Sequence, residues 1–322
     1  MLLSPQSATQ ISPKRQSRLG DPAADCLTSH LESSEIQSDK TVDGTNAAAD
    51  QQRRVDARFL AESSYWKEVY EREGVYEAIY QQRRDVVLAL FDRLKVPTHS
   101  SLLEIGCGAG LTTVALARRG YVVHAIDTVN AMLGLTRQLA LKAGVDQHVI
   151  TSASDVCRLA FPNDTFSVVL AIGLTPWLHT LRDSLREIAR VLRPGGYVII
   201  SADHRWRLNY MLDPRRFPGL AGIRWKVRDF LEGCGLRESD PARPHVHMYS
   251  SKEFDAQLRA AGLEKQEARS LGFGPFTFFN RRVLPESLGV KVHYKLQRLA
   301  DRGFPLLRSA GSQYVVLARN VG

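Results

Sequence analysis

The sequence predicts an α/β fold in which a doubly wound, mostly parallel sheet carries helices on both of its faces. Apolar stretches rich in strand formers alternate with helical patterns from about residue 100 to residue 202, and this alternation is typical of parallel sheets. The first stretch ends in three glycines at alternate positions, Gly106, Gly108 and Gly110, directly before a helical pattern. Glycines between a strand and a helix permit a tight turn and the close approach of a ligand. We therefore expect a nucleotide-type cofactor site at this turn.

The spacing of the glycines narrows the choice of cofactor. A dinucleotide fingerprint needs its third glycine one position later, where this chain has Leu111. Glu104, two residues before the first glycine, would repel a pyrophosphate but suits a ligand with an amino group and a positive sulfur. A phosphate-binding Walker loop is excluded because no Gly-Lys-Ser/Thr follows. The glycines alone also fit a tight turn without a ligand.

The next strands supply polar residues at their carboxyl ends. The run 121–127 ends in Asp127, roughly 20 residues after the glycines, where an acidic side chain can take both ribose hydroxyls. Asp127 could also cap the helix that starts near Asn130. A third apolar stretch closes at Asp155 and Val156. A fourth strand then ends at Gly173, and a helix, a Pro-Gly-Gly turn and a fifth strand follow.

Taken in order, these segments resemble the class I S-adenosylmethionine (SAM)-dependent methyltransferases, strongly over about residues 100–205 and loosely elsewhere. Within that class the chain looks like the ubiquinone- and menaquinone-biosynthesis type of small-molecule methyltransferase. The resemblance implies a Rossmann-like, seven-stranded sheet in which the last strand, 313–319, inserts antiparallel beside the sixth, 264–271. It also implies an in-line transfer of the SAM methyl group to an O or C, possibly N, atom of a small-molecule acceptor.

The resemblance also implies the residues that bind the cofactor. The glycines would face the methionine part and the ribose, Asp155 and Val156 the adenine, and Gly173 the amino-acid end. Arg83 could pair with the SAM carboxylate, or Arg83 and Tyr80 could simply pack as a lid. The full predicted set is Glu104, Gly106, Gly108, Gly110, Asp127, Thr128, Met132, Asp155, Val156, Gly173, Tyr80 and Arg83.

A general base is needed only if the acceptor must lose a proton. His179 and His204 follow the fourth and fifth strands and are the candidate catalytic bases, although either could be a hydrogen-bonded structural histidine. His245 and His247 alternate in a strand-like stretch, but no third ligand accompanies them, so we predict no metal site.

The chain divides into three parts by composition. Residues 1–55 are polar, with few aromatics and no periodic apolar face, which predicts a disordered tail. Residues 56–98 have a helical periodicity that predicts an N-terminal lid. Residues 99–322 would form the methyltransferase domain, with basic, aromatic insertions at about 203–248 and 272–311.

The net charge of +9 is concentrated in the two insertions. Residues 204–230 and 281–308 each have seven basic against two acidic side chains, so we expect an anionic or amphipathic acceptor or a peripheral membrane contact, unless these are solvated basic faces. A nucleic-acid acceptor is disfavoured because the fourth strand ends in Ile-Gly-Leu-Thr-Pro instead of the Asp/Asn-Pro-Pro-aromatic motif of amino-methylating enzymes.

Few other functions fit the sequence. Four widely spaced cysteines, the lack of a secretory signal and the lack of a long apolar run favour a cytoplasmic protein. A SAM-binding partner or sensor without turnover is the main alternative to an enzyme. An RNA methyltransferase and a nicotinamide dehydrogenase are weaker ones. The oligomeric state is not indicated.

Overall fold

The computed structural model describes residues 44–69, 72–234 and 244–322. In these residues the sheet strands are β1 Ser101–Ile105, β2 Val122–Asp127, β3 Val149–Ala153, β4 Phe166–Ala171, β5 Leu192–Asp203, β6 Leu263–Leu271 and β9 Gln313–Asn320, and a separate hairpin contains β7 Thr277–Phe278 and β8 Arg281–Arg282. The seven sheet strands lie in the order β3-β2-β1-β4-β5-β9-β6. Neighbours from β3 to β5 pair in parallel, whereas β9 pairs antiparallel with both β5 and β6, which confirms the predicted fold class.

Helices cover both faces of the sheet because side chains of its central strands alternate between two apolar layers. Leu103 and Val169 face one layer, which contains the helices Leu181–Val191 and Ser251–Ala260. Leu102 and Val168 face the other, which contains Val75–Arg93 and Leu111–Ala117. The remaining α-helices of the described residues are Gly44–Ala61, Ser63–Glu68, Asn130–Lys142, Leu208–Met211, Ala221–Gly233 and Glu286–Asp301. Within the described part of the chain, no helix is long and apolar enough to cross a membrane.

The amino-terminal boundary differs from the sequence prediction. Residues 44–55 are part of the helix Gly44–Ala61 and do not belong to a disordered tail, while residues 1–43 lie outside the described residues. Val55 packs with Trp177 and Val246, which are far away in the sequence. Local composition could not reveal this helix because its apolar partners come from two distant loops. The division into tail, lid and domain otherwise stays a prediction.

Another difference lies at the start of β5. The Pro-Gly-Gly segment was expected to be a turn, but it lies inside a strand that already begins at Leu192. A register shift opposite Phe166 and Val168 accommodates these extra residues.

The predicted insertions contain the helix Ala221–Gly233 and the β7–β8 hairpin, while residues 235–243 of the first insertion are not described.

Candidate functional site

A deep cleft lies at the carboxyl ends of β1, β2, β4 and β5, where ligands bind in open α/β sheets. It encloses about 1630 Å³ of space, part of it open solvent. The glycine turn, the polar ends of the strands and several aromatic rings all line it, which is the mixture of polar and apolar groups that small-molecule sites have. The N-terminal helices form its opposite wall.

The glycine turn forms the floor of this cleft. Gly110 precedes the helix Leu111–Ala117 with a φ of 81°, and a β-carbon there would lie 2.8 Å from the Thr136 Cα. Gly108 also has a positive φ, but a β-carbon there would meet nothing within 4 Å. The Gly110 position therefore serves the packing of the turn, whereas Gly108 leaves space on the ligand side.

Glu104 is a buried carboxyl group at the end of β1. It lines the cleft and accepts a hydrogen bond from the Thr113 hydroxyl. The pKa of Glu104 is raised to about 8. Burial is the main cause, the hydrogen bond from Thr113 opposes it, and the nearby Asp127 carboxylate adds to it. The group therefore keeps its proton at neutral pH in the ligand-free protein, and a cationic ligand would favour its ionised form.

This shift predicts a pH-dependent affinity for SAM. SAM carries an ammonium and a sulfonium, so its binding should expel the Glu104 proton. The association constant should rise as pH increases towards about 8 and level off above it. Calorimetry across this range is the measurement. E104Q should remove the dependence and weaken binding above pH 8 by about 10- to 100-fold, since a charge-assisted hydrogen bond contributes about 1.5–3 kcal/mol. Equal pH profiles for both proteins would contradict this assignment.

Asp127 lies at the end of β2 with both carboxylate oxygens bonded to the backbone. Oδ2 accepts from the Gly108 N–H at 3.0 Å and Oδ1 from the Val129 N–H at 2.9 Å. These bonds tie the carboxylate to the glycine turn and to the start of the following helix. Burial raises the Asp127 pKa, whereas the two backbone N–H groups lower it. Its predicted role at the ribose stays a prediction.

The residues predicted near the adenine lie together in the cleft. Thr128, Met132, Asp155 and Val156 all line it. The Thr128 hydroxyl donates to Asp56 Oδ1 at 2.7 Å. The N-terminal helix Gly44–Ala61 therefore touches the adenine side of the cleft, a contact that the sequence did not indicate.

At the predicted amino-acid end, the structure brings Arg83, Tyr80 and Gly173 together. A β-carbon on Gly173 would lie 3.1 Å from Arg83 Nη1. The Arg83 guanidinium lies 4.9 Å from the centre of the Tyr80 ring, and its Nη1 donates to Gln313 Oε1 at 3.1 Å. A buried guanidinium beside the fourth strand's exit can pair with a carboxylate.

The two histidines proposed as bases do not lie in the cleft. His179 is exposed, and neither His179 nor His204 is among the described residues that line the cleft. His204 is buried, and burial together with the Arg207 charge lowers its pKa to about 4. Adjacent strand residues point to opposite faces, so Asp203 faces the cleft and His204 does not. The catalytic assignment is corrected accordingly.

Asp203, Arg207 and Gln313 form a buried polar group in the cleft that the sequence reading missed. Gln313 Nε2 donates to Asp203 Oδ1 at 2.7 Å, and Arg207 Nη2 donates to Asp203 Oδ2 at 3.0 Å. Antiparallel pairing of β5 and β9 places Asp203 opposite Gln313. The sequence signal for this group is the acidic residue Asp203 at the end of the fifth strand, directly before His204, the predicted base.

Aromatic side chains form a further part of the cleft wall, called the aromatic wall below. Phe59 and Trp177 meet edge to face with ring centres 5.3 Å apart, and Trp66 lies 5.5 Å from Tyr80. These rings, with Tyr76, line the cleft. Among the described residues no group of three or more His, Cys, Asp or Glu side chains could hold a metal ion.

The helix Gly44–Ala61 is tied across the mouth of the cleft by Gln51. Its Nε2 donates to the His245 carbonyl at 2.7 Å, and its Oε1 accepts the His245 N–H at 2.8 Å.

We expect Q51A to loosen this helix and to speed SAM dissociation several-fold, because these two hydrogen bonds, of about 1 kcal/mol each, are lost. Stopped-flow tryptophan fluorescence measures the rate, because Trp66 and Trp177 both line the cleft. An unchanged rate would mean that the helix does not gate the cofactor, and exposed R53A is the control.

The sequence of this chain is similar to those of known methyltransferases. Residues 103–200 match the family model described as a methyltransferase domain. The chain is 31% identical over 174 residues to 27-O-demethylrifamycin SV methyltransferase from Amycolatopsis mediterranei, covering 53% of this chain and 56% of the relative. It is 24% identical over 245 residues to a ubiquinone biosynthesis O-methyltransferase from Pseudomonas entomophila, covering 76% of this chain and 96% of the relative.

Solved structures share the fold. The 1,6-didemethyltoxoflavin-N1-methyltransferase of Burkholderia thailandensis superimposes with a TM-score of 0.52 at 16% identity, covering 89% of this chain and 94% of that one. A Haloferax volcanii chain, from the complex of the Trm112 methyltransferase activator with the putative methyltransferase, gives a TM-score of 0.53 at 16% identity, covering 82% of this chain and 96% of that one.

Proposed function

We propose that this chain, which belongs to the class I SAM-dependent methyltransferases, transfers the methyl group of SAM to a hydroxyl oxygen of a small, largely apolar acceptor. SAM is the cofactor of the family. The observation that carries the finer proposal is the buried carboxylate of Asp203, which faces the same cleft as the glycine turn. A hydroxyl acceptor must lose a proton, and a carboxylate in this place can accept it.

The cofactor would lie along the ends of β1, β2 and β4. Asp127 would hold the ribose hydroxyls, Glu104 the ammonium and Arg83 the carboxylate. The remaining space, between the aromatic wall and Asp203, would then hold the acceptor.

The chemistry requires little beyond positioning. In-line displacement needs the oxygen, the methyl carbon and the sulfur to be collinear, and such positioning can lower a barrier by about 7–11 kcal/mol. The aromatic wall excludes water and orients an apolar acceptor. Arg207 and Gln313 hold the Asp203 carboxylate in place. Bound SAM would supply the methyl group and a good leaving group, and Asp203 would accept the proton that the hydroxyl loses.

Two relatives support oxygen as the acceptor atom. The name of one contains O-methyltransferase, and the name of the other specifies a 27-O-demethyl substrate. The two names specify different pathways, so neither acceptor carries over to this chain. An acceptor with an apolar body and an exposed hydroxyl suits the aromatic wall and the buried carboxylate.

The test uses carbon-13 methyl-labelled SAM with a small-molecule extract. We expect a labelled product whose carbon shift is that of a methoxy group. A labelled C-methyl or N-methyl product would refute oxygen as the acceptor. Binding of SAM without any labelled product, in extracts from several sources, would favour the SAM-binding protein without turnover.

A further inference from the structure

The helix Ala221–Gly233 has an unusual surface. The helix lies in the described range 72–234, and none of its side chains is buried there. Ile223 is 61% exposed, Val227 53% and Phe230 67%, and Leu220 just before the helix is also exposed. Steps of three and four residues place these side chains in one stripe along the helix. A soluble helix normally turns such a stripe towards the core, and this one leaves it open.

The charges of this helix are sorted around the stripe. With about 100° of rotation per residue, Lys226 lies along one edge of the stripe and Arg224 and Arg228 along the other. Asp229 and Glu232 lie on the opposite side. An apolar stripe with basic edges and acids facing away is typical of a helix that lies in the plane of a bilayer surface.

The β7–β8 hairpin of the second insertion also carries exposed apolar side chains. Phe278 and Phe279 at its tip are 52% and 53% exposed, and Arg281 and Arg282 follow them.

Buried hydrogen bonds connect the hairpin to the first insertion. The Thr277 hydroxyl donates to Asp213 Oδ2 at 2.6 Å, and Arg216 Nε donates to Asn280 Oδ1 at 2.9 Å. The hairpin is therefore attached to residues 213–216, a few positions before the helix Ala221–Gly233 in the chain.

We propose that this region, the helix Ala221–Gly233 with the tip Phe278–Phe279, docks on a membrane surface with anionic headgroups. Apolar side chains would enter the boundary between headgroups and acyl chains, while the basic edge residues meet the headgroups. The basic charge of both insertions complements an anionic bilayer. This docking does not depend on which acceptor the cleft methylates.

The test is co-sedimentation of the full chain with vesicles of phosphatidylglycerol and phosphatidylcholine or of phosphatidylcholine alone. We expect at least tenfold tighter binding to the anionic vesicles and a loss of binding at high salt. The double variant I223D/F230D and the variant F278S/F279S should each lose about tenfold or more. L141S is the matched control, because Leu141 is 69% exposed on the distant helix Asn130–Lys142.

SAM affinity, measured in the same variants, separates this proposal from the proposed function. It should stay unchanged, because none of the four substituted residues lines the cleft. Equal binding of wild type and variants to vesicles would overturn the docking proposal, as would no binding at all. It would also be overturned if light scattering showed a wild-type dimer that I223D/F230D converts to a monomer and no vesicle binding were seen.

Discussion

Replacing Asp127 by alanine is expected to weaken SAM binding by about 100-fold. In the proposed pose its carboxylate holds both ribose hydroxyls, and hydrogen bonds to a charged group contribute about 1.5–3 kcal/mol each. The same substitution frees the backbone N–H groups of Gly108 and Val129, which would loosen the turn that supports the cofactor. Titration calorimetry with SAM measures the effect.

Two controls make this result interpretable. D92A removes a carboxylate from the exposed pair with Arg119 and should leave SAM affinity within about twofold. Thermal unfolding of D127A without ligand reports how much of its loss comes from the loosened turn. If D127A bound SAM as the wild type does, the ribose assignment would be wrong.

The second large effect is expected at Asp203. D203N should lower kcat by about 10²- to 10⁴-fold, the range typical for loss of a general base. In the proposed pose Asp203 lies on the acceptor side of the cleft, so SAM affinity should change little. Steady-state rates with the acceptor identified by labelled transfer, together with SAM calorimetry, separate the two quantities. Loss of the acidic limb of the pH–rate profile, where the rate rises as the base loses its proton, would mark Asp203 as the proton acceptor.

A buried carboxylate can also matter only for folding. D213N is the matched control, since Asp213 is likewise buried, lies 3.9 Å from Arg216 and does not line the cleft. We expect D213N to lower the melting temperature while kcat stays near wild type. If D203N and D213N reduced kcat equally, Asp203 would have a structural role only.

The sheet and the cofactor half of the cleft could be predicted because their determinants are local. Alternating apolar stretches specify parallel strands, and the carboxyl ends of those strands meet at one edge of the sheet. The glycine turn, Glu104 and Asp127 therefore converge without any long-range knowledge. All of the predicted cofactor-binding residues except Gly110 line the cleft. Gly110 is used for packing against Thr136 instead.

The part of the cleft around Asp203, where the acceptor is proposed to bind, could not be predicted because its contacts are long-range. Asp203 meets Gln313 across 110 residues, and Gln51 meets His245 across 194. No spacing rule reports such pairs. At the end of β5 the sequence offered Asp203 and His204 side by side. Choosing between them required the direction of each side chain, which depends on where the strand's alternation begins.

The most direct test of the central claim is calorimetry with SAM and NADH on the same preparation. We predict that SAM binds in a single site, that its affinity falls about 100-fold in D127A, and that NADH gives no saturable heat. Leu111 in place of the dinucleotide glycine is the reason for the last expectation. Tight NADH binding, or SAM binding that D127A leaves unchanged, would contradict the account of this cleft as a SAM site.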